Sequence, residues 1–97
     1  MKRGGSIYIL TNVSNSVLYI GVTSNLLTRL SEHKTGKYQQ AFTLRYNCKK
    51  LVYYEAFHTI EEAIGREKQL KNWRRQWKLN LITDFNPQWN DLSDTIE

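Results

Sequence analysis

The fold is decided by residues 6–30, SIYILTNVSNSVLYIGVTSNLLTRL, in which two apolar and aromatic stretches flank a short polar segment. β-Branched and aromatic residues favour strands, so residues 6–11 and 17–22 are predicted to be two β-strands. Residues 12–16 are rich in Asn and Ser, whose side chains bond to the local backbone and favour turns. The three segments together predict an antiparallel β-hairpin.

The predicted hairpin carries one tyrosine in each strand, Tyr8 and Tyr19. Residues that pair across a hairpin share a face of the sheet, and a slip of one residue reverses that face. The two tyrosines therefore share a face only if the loop has an even number of residues, or if a bulge shifts the register. Gly21 lies two residues after Tyr19 and leaves open space beside it, as close approach of a substrate would require. Ordinary strand packing also accounts for two tyrosines in a hairpin.

The hairpin is followed by a predicted helix over residues 25–35, with Thr23 or Ser24 as the capping residue and Gly36 as the C-terminal stop. Helical periodicity of about 100° per residue places three leucines on one side of this helix. The predicted apolar stripe consists of Leu26, Leu27 and Leu30.

Two polar residues of this helix, Arg29 and His33, are four positions apart and therefore lie on one face. They fall on the flank of the apolar stripe, where the core meets solvent. A guanidinium is a planar fork that matches phosphate oxygens, and an imidazole exchanges a proton near neutral pH. The simpler interpretation is a surface arginine beside a half-buried histidine. Their combination with two tyrosines favours a site.

The second half of the chain predicts one more strand and two helices. Thr59 and Glu62 form a capping box, T-x-x-E, which marks the start of the first of these helices. The order β-β-α-β-α-α predicts an α+β domain with a three-stranded antiparallel sheet flanked by three helices. The predicted elements are a polar loop over residues 37–50, a strand over 51–57, and helices over 60–72 and 74–83.

Charge divides the chain after residue 83. Residues 1–83 contain 14 basic and 5 acidic side chains, a net charge of +9, whereas residues 84–97 contain four acidic side chains, a net charge of −4, which together give +5. We therefore predict one domain over residues 1–83 and an acidic tail over 84–97 that packs on it or trails from it. The basic domain favours a polyanionic partner. A soluble domain with a lysine-rich surface has the same composition.

Several classes of protein are disfavoured by the composition. Cys48 is the only cysteine, which excludes a disulfide framework within the chain and a cysteine metal cluster. No apolar run approaches the roughly 18–20 residues that a membrane span needs, and the basic N-terminus has no signal-peptide cleavage site. We therefore expect one domain with no membrane association, in a reducing, cytoplasmic setting.

The predicted helices of the second half contain a single acid among many cations. Residues 63–80 contain six Lys and Arg and one carboxylate, Glu67, which lies four residues after Ala63 and three before Leu70 in the apolar repeat. An inward-leaning carboxylate is costly unless it is paired or binds a metal. An ion pair with Lys71 is the simpler interpretation, and a Mg²⁺ ligand is the functional one. The predicted apolar stripe consists of Ile60, Ala63, Ile64, Leu70, Trp73 and Trp77.

The two tryptophans of this stripe, Trp73 and Trp77, have two possible roles. Exposed indoles stack on nucleobases. Packing in the core is the interpretation that the apolar repeat favours.

Taken together, these residues resemble the GIY-YIG nuclease superfamily. SIYIL…LYIGVTSNLLTRLSEHKTGKY is similar to its hallmark of I-Y, then Y-I-G, then Arg and His on the next helix. EEAIGREKQLKNWRRQWKLNLI resembles the helix that carries the metal-binding Glu, and FNPQWNDL looks like small standalone bacterial members related to the excinuclease C N-terminal domain. The resemblance covers roughly residues 6–92. Ser6 replaces the first Gly of the name, a position that the chemistry does not use.

The resemblance implies a role for individual residues. It implies catalytic roles for Tyr8, Tyr19, Arg29 and His33, and metal binding by Glu67. Weaker supporting candidates are Gly21, Lys71 and Asn86. The cations expected to bind nucleic acid are Lys34, Lys37, Arg45, Arg74 and Arg75.

The activity that the resemblance implies is hydrolysis of DNA phosphodiesters with one Mg²⁺ or Mn²⁺ ion, in DNA repair or processing. Tyr8 is the candidate general base, and Tyr19 would orient the water or share that role. Because a free phenol has a pKa of about 10, the base would need help from Arg29, the metal and His33 to act at neutral pH. The 97 residues contain no recognition module, which favours reading of DNA structure rather than sequence.

Two other classes of function stay open at this point. The chain could be a DNA- or RNA-binding module without catalysis, or an interaction domain whose acidic tail masks the basic face. Oligomeric state is open.

Overall fold

The computed structural model describes residues 4–35 and 45–96, except for the side chains of residues 33–35. The described part contains a three-stranded antiparallel sheet and three α-helices in the order β-β-α-β-α-α, which confirms the predicted α+β class. The elements are β1 (Gly5–Thr11), β2 (Leu18–Thr23), α1 (Leu26–Thr35), β3 (Lys50–Phe57), α2 (Ile60–Asn72) and α3 (Arg75–Phe85), followed by a short 3-10 turn (Ser93–Thr95).

The hairpin of β1 and β2 has the even loop that the two tyrosines require. Thr11 pairs with Leu18, so the loop consists of the six residues 12–17. The predicted loop of residues 12–16 was one residue too short, because Val17 precedes the first pair of the ladder. The Asn12 Oδ1 atom accepts hydrogen bonds from the backbone N–H groups of Ser16 and Val17, at 2.9 and 3.2 Å. This side chain closes the loop as the Asn- and Ser-rich sequence predicted. Tyr8 and Tyr19 consequently lie on one face of the sheet.

The strand order is β2-β1-β3, with β1 in the centre. Ile9 pairs with Tyr53 whereas Leu10 pairs with Leu51, so Val52 is an extra residue in β3 and forms a bulge. A bulge removes one carbonyl from the ladder. The Val52 carbonyl instead accepts a hydrogen bond of 3.2 Å from the Asn86 side chain, which is buried.

The sheet separates two apolar layers because side chains alternate along each strand. Helices α2 and α3 cover one face, and α1 with the C-terminal residues covers the other. The core of the first layer consists of Ile7, Ile9, Ile20, Val52, Tyr53, Ala63, Leu70 and Ile82. The core of the second consists of Tyr8, Leu10, Leu26, Leu30, Cys48 and Leu51.

The start of α1 differs from the prediction in two details. The Thr28 N–H donates to Asn25 Oδ1 at 3.1 Å, so Asn25 is the capping residue rather than Thr23 or Ser24. The predicted apolar stripe was wrong for Leu27, which is 51% exposed, whereas Leu26 and Leu30 are buried. Leu27 is about 100° around the helix from Leu26, beyond the narrow side that faces the sheet. Gly36 lies outside the described residues.

The capping box at the start of α2 is present: the Glu62 N–H donates to Thr59 Oγ1 and the Glu62 carboxylate accepts from the Thr59 N–H, both at 3.2 Å. Helix α2 ends at Asn72, because Trp73 and Arg74 have extended backbones with ψ of 151° and 150°. Helix α3 then continues to Phe85, two residues beyond the predicted end.

The break between α2 and α3 corrects the predicted apolar stripe of this region. A single helical period does not continue through two extended residues, so α3 presents its side chains at a new angle. Trp77, after the break, is 50% exposed. Ile64, before the break, is 37% exposed because it lies about 100° around α2 from the buried Ala63, so the predicted stripe was wrong for both residues. Ala63 and Leu70 are buried as predicted.

The C-terminal residues pack along β3, which is an edge strand. The Leu92 N–H donates to the Leu51 carbonyl at 2.8 Å, and the Leu51 N–H donates to the Asp91 carboxylate at 3.2 Å. An edge strand has unpaired backbone groups, and these contacts satisfy two of them. None of the helices in the described residues has both the length and the apolar character needed to cross a lipid bilayer.

Candidate active site

The two tyrosines of the hairpin meet above a glycine. Tyr8 pairs directly with Gly21 across β1 and β2, and Leu10 pairs with Tyr19. The tyrosine ring centroids are 6.2 Å apart with an interplanar angle of 49°. A Cβ atom at Gly21 would come within 2.5 Å of the Tyr8 hydroxyl, so only glycine allows the ring to lie there. The open space that the sequence predicted beside Tyr19 is therefore occupied by the ring of Tyr8.

Burial distinguishes the two phenols. Tyr8 is 0% exposed and belongs to the core of the α1 layer, whereas Tyr19 is half-buried at its edge. A side chain that accepts a proton from a water molecule must lie within hydrogen-bonding distance of that water. Tyr19 therefore has access to solvent, whereas Tyr8 does not.

Helix α1 adds the basic residues to the same layer. Leu26 and Leu30 pack it against Tyr8, so α1 covers the face that carries the tyrosines. Arg29 has a half-buried side chain whose Nε atom lies 3.3 Å from Glu32 Oε1. This arrangement keeps the guanidinium at the boundary between core and solvent, as predicted from the helical angle. For His33 and Lys34 only the backbone, within α1, is described.

Glu67 lies in the opposite layer. It belongs to the side of α2 that faces the sheet, between Ala63 and Leu70, and its side chain is 15% exposed. Its Oε2 atom is 2.9 Å from Lys71 Nζ, so the ion pair expected from the spacing is present. The partner compensates the carboxylate for its partial burial.

The sheet therefore brings together some of the predicted site residues and separates others. Tyr8, Tyr19 and Gly21 are adjacent, and α1 brings Arg29 to the same face. Glu67 is on the helix that packs against β1 and β2 from the other face. The sheet therefore lies between Glu67 and the two tyrosines, and β2 is the edge strand that this helix covers.

The donor set around Glu67 suits a hard cation that keeps much of its hydration shell. Within residues 4–35 and 45–96, no group of three or more His, Cys, Asp or Glu lies close enough to hold a metal ion by itself. Mg²⁺ is commonly bound through one or two carboxylates, with water and substrate phosphates as the other ligands. Glu67 can therefore hold one such ion beside a phosphate, provided that the ammonium of Lys71 moves away.

The other predicted cations have different neighbours. Arg45 is exposed and its guanidinium lies 5.5 Å from the Tyr46 ring centroid. Arg74 is exposed above the Trp77 ring, and Arg75 donates to the Ser16 carbonyl of the hairpin loop at 2.8 Å. Lys37 lies outside the described residues.

Asn86 has a structural role in this fold. Its Nδ2 atom donates to the Val52 carbonyl and to the Asn90 carbonyl, and its Oδ1 atom accepts from the Asn90 N–H at 3.1 Å. These bonds join the bulge of β3 to the turn after α3. They satisfy both polar atoms of this buried amide.

Sequence reasoning missed a polar network on the α2 face of the sheet. The Tyr53 hydroxyl donates to Glu55, which accepts two further bonds from Arg66 at 2.9 and 3.2 Å. The guanidinium of Arg66 lies 5.3 Å from the Trp73 ring centroid. Burial, followed by the hydrogen bond and charge of Glu55, raises the pKa of the Tyr53 phenol. Spacing could not predict this network because Glu55 and Arg66 are on different elements.

Residues 4–80 match the family described as the GIY-YIG catalytic domain. The match covers most of the chain, and the chain therefore belongs to the GIY-YIG family, a superfamily of nucleases.

Relatives of similar length support this membership. The chain is 39% identical to a UPF0213 protein of Syntrophus aciditrophicus over 84% of this chain and 92% of that protein. It is 38% identical to a UPF0213 protein of Streptococcus agalactiae over 84% and 91% of the two chains, and 37% identical to one of Staphylococcus haemolyticus over 80% and 93%. These names state no activity. No solved structure matches the chain.

Proposed function

We propose that this chain is a metal-dependent endonuclease that hydrolyses DNA phosphodiester bonds and acts in DNA repair or processing. The observation that carries the proposal is the pair of tyrosines in contact above Gly21, in a domain that belongs to a nuclease family. Phosphodiester hydrolysis needs an activated water, a bound phosphate and a stabilised leaving oxygen. The residues of the two layers supply a candidate for each requirement.

Tyr19 is the better candidate for the group that accepts the proton of the attacking water. Its half-buried ring reaches solvent, whereas the ring of Tyr8 is enclosed by the α1 layer. Tyr8 then acts as a positioning residue that holds the Tyr19 ring in place through their contact. This assignment reverses the order suggested by the sequence, in which Tyr8 was the first choice for the base.

Arg29 is the candidate for binding the phosphate. Its position on the tyrosine face, at the boundary with solvent, allows the guanidinium to donate hydrogen bonds to two oxygens of a phosphate. Glu32 already neutralises part of its charge, so the guanidinium exchanges that carboxylate for the phosphate when DNA binds. The side chain of His33, one turn further along α1, is a candidate for moving a proton near the phosphate.

Glu67 would hold the divalent cation, Mg²⁺ or Mn²⁺. When bound, such an ion supplies positive charge that stabilises the phosphate and the leaving oxygen. Because Glu67 and the tyrosines are on opposite faces, we place the phosphate across the β2 edge of the sheet. Mn²⁺ broadens NMR signals of nearby nuclei, so Mn²⁺ added to the protein with a DNA analogue that it cannot hydrolyse should broaden signals of both β2 and α2.

The test is cleavage of a panel of linear, flap, fork and junction DNAs, started with Mg²⁺ and stopped with EDTA. Glu67→Ala should abolish cleavage and leave DNA binding in EDTA close to that of the unmodified protein. Glu61→Ala is the matched control, because Glu61 is an exposed acid in the first turn of the same helix. Cleavage by Glu67→Ala at the unmodified rate would exclude the metal assignment.

The binding-module alternative makes a different prediction in the same experiment. A protein that binds DNA without catalysis shifts every substrate on a gel and cuts none of them, with Mg²⁺ or without it. Its affinity would still fall steeply with salt, because that dependence comes from release of counterions.

A further inference from the structure

Trp77 is a large apolar side chain that the fold leaves half exposed, at 50%. It nevertheless packs against two neighbouring side chains. Its ring contacts Trp73 edge to face, with centroids 6.0 Å apart and planes at 82°, and the guanidinium of Arg74 lies 5.7 Å from its centroid. An indole that is fixed before binding loses little conformational entropy when a ligand stacks on it.

The surroundings of Trp77 are strongly basic. Residues 68–83 contain five cations and no carboxylate. Among the described residues, the ion pairs of this surface involve Arg66 and Lys71, and none involves Arg74 or Arg75. Cations without ion-pair partners around an exposed aromatic ring favour a binding partner that is negatively charged and carries aromatic rings. A protein surface with few acidic residues fits this site less well.

The break between α2 and α3 positions this surface relative to the candidate active site. Lys71, the partner of Glu67, is in the last turn of α2, and Trp73 and Arg74 follow directly. At the other side, Arg75 bonds to the Ser16 carbonyl in the loop that joins β1 to β2. The surface formed by Trp77, Arg74 and Arg75 therefore begins beside Lys71 at the C-terminal end of α2 and extends towards the hairpin loop.

We propose that Trp77 and Arg74 form a stacking site for an unpaired nucleobase of a bound nucleic acid, with Arg75 and Lys78 neutralising the neighbouring phosphates. The inference rests on the nucleic-acid partner of the proposed function and adds a site outside its catalytic residues. A base in duplex DNA is already stacked on both sides. The site therefore selects strands with unpaired bases, such as flaps, forks and frayed ends.

The experiment measures fluorescence anisotropy of a labelled short oligothymidylate, in EDTA so that no cleavage occurs. Trp77→Ala should weaken binding by about 5- to 100-fold, in line with the loss of one stacked base, and Trp77→Phe should restore most of the affinity. An oligonucleotide of the same length with abasic sugars retains the phosphates and removes the bases. Trp77→Ala should bind this abasic strand as well as the unmodified protein does.

Leu27→Ala is the matched control, because Leu27 is apolar and 51% exposed, as Trp77 is, and lies on α1, on the opposite face of the sheet from α3. Unchanged binding of oligothymidylate by Trp77→Ala would overturn the proposal, and so would an equal loss for the abasic strand. A change of oligomeric state in Trp77→Ala with unchanged affinity would also overturn it and assign the surface to a second copy of the chain. A protein that binds through Trp77 but never cuts DNA contradicts only the proposed nuclease function.

Discussion

The ring of Tyr8 lies over the backbone of Gly21, its direct partner across the two strands of the hairpin. This relationship explains why a glycine occurs in the middle of a strand, where it would otherwise weaken the sheet. It also fixes where Tyr8 can contact Tyr19, since Gly21 and Tyr19 lie on the same face two residues apart.

Gly21→Ala should displace the Tyr8 ring, because the added Cβ would overlap it. We expect a loss of about 1–3 kcal/mol in the free energy of unfolding, measured by urea denaturation, and a large loss of cleavage. Gly65→Ala is the control, since a Cβ at Gly65 in α2 has no neighbour within 4 Å. That variant should be more stable by about 0.5–1 kcal/mol. Equal effects of the two substitutions would contradict the close packing of Tyr8.

Tyr19→Phe should lower the rate constant of cleavage about 10²- to 10⁴-fold and leave DNA affinity nearly unchanged, because only the proton acceptor is removed. Tyr8→Phe should give a smaller loss, because phenylalanine keeps the ring that contacts Tyr19. Tyr54→Phe serves as control, because Tyr54 pairs with Tyr8 across β1 and β3 and packs against Phe85. The rate constants of cleavage are compared by single-turnover kinetics from neutral to alkaline pH. A larger effect of Tyr8→Phe than of Tyr19→Phe would reverse the assignment.

Lys71→Met should lower the Mg²⁺ concentration for half-maximal cleavage about twofold at saturating DNA. The reason is that the ammonium, 2.9 Å from Glu67, competes with the ion for the carboxylate, and such a pair contributes a few tenths of a kcal/mol. Lys68→Met is the control, since Lys68 is exposed on the same helix and makes no ion pair within the described residues. A higher Mg²⁺ requirement in Lys71→Met would show that Lys71 assists the metal or the phosphate.

Tyr53 should make the stability of the fold depend on alkaline pH. Burial, together with the hydrogen bond and charge of Glu55, raises the pKa of its phenol above the ordinary 10.0, although Arg66 opposes this. The folded state thus holds the proton more tightly than the unfolded chain. The resulting stabilisation is complete below pH 10 and is lost as the pH rises above it. Urea denaturation should show a smaller alkaline loss for Tyr53→Phe, and parallel profiles for the two proteins would exclude this contribution.

Asn86→Ala should lower the free energy of unfolding by about 1–3 kcal/mol, because it leaves the buried Val52 carbonyl without a hydrogen-bond donor. The rate of cleavage per folded molecule should stay unchanged at a temperature where the variant is fully folded. Asn80→Ala is the control, since Asn80 is exposed on α3. Stability close to the unmodified protein combined with a large loss of rate would return Asn86 to the catalytic candidates.

Removal of residues 84–97 should lower the stability of the fold as well as expose the basic surface. Asp91 and Leu92 bond to both backbone groups of Leu51 on the edge of β3. A chain ending at residue 83 would therefore lose stability, whatever it gains in affinity for a polyanion.

The class of fold could be predicted because its signals are local. The alternation of residues 6–11 and 17–22, the Asn-rich loop between them and the capping box at Thr59 all act through neighbours within a few residues. The predicted loop of residues 12–16 was one residue too short, so the structure was needed to show that Tyr8 and Tyr19 share a face. The family resemblance depended on this stretch together with residues 61–82 and 85–92.

Local signals failed where the chain changes direction or meets a distant element. The predicted stripe that included Trp77 assumed one helical period across residues 73 and 74, whose extended backbones interrupt it. Asn86 was a weak candidate for the site, and the sequence did not predict that its amide donates a hydrogen bond to the Val52 carbonyl at the bulge.

The amino-acid order alone determined the hairpin and the helices, because backbone hydrogen bonds and side-chain alternation set these over short distances. It left open whether the two tyrosines share a face, because the predicted loop ended one residue too early. Only the tertiary structure decided that Tyr8 is enclosed, that Glu67 lies in the opposite layer and that Trp77 reaches solvent. These properties depend on which helix packs against which face, and that choice is made by apolar contacts between residues far apart in the chain.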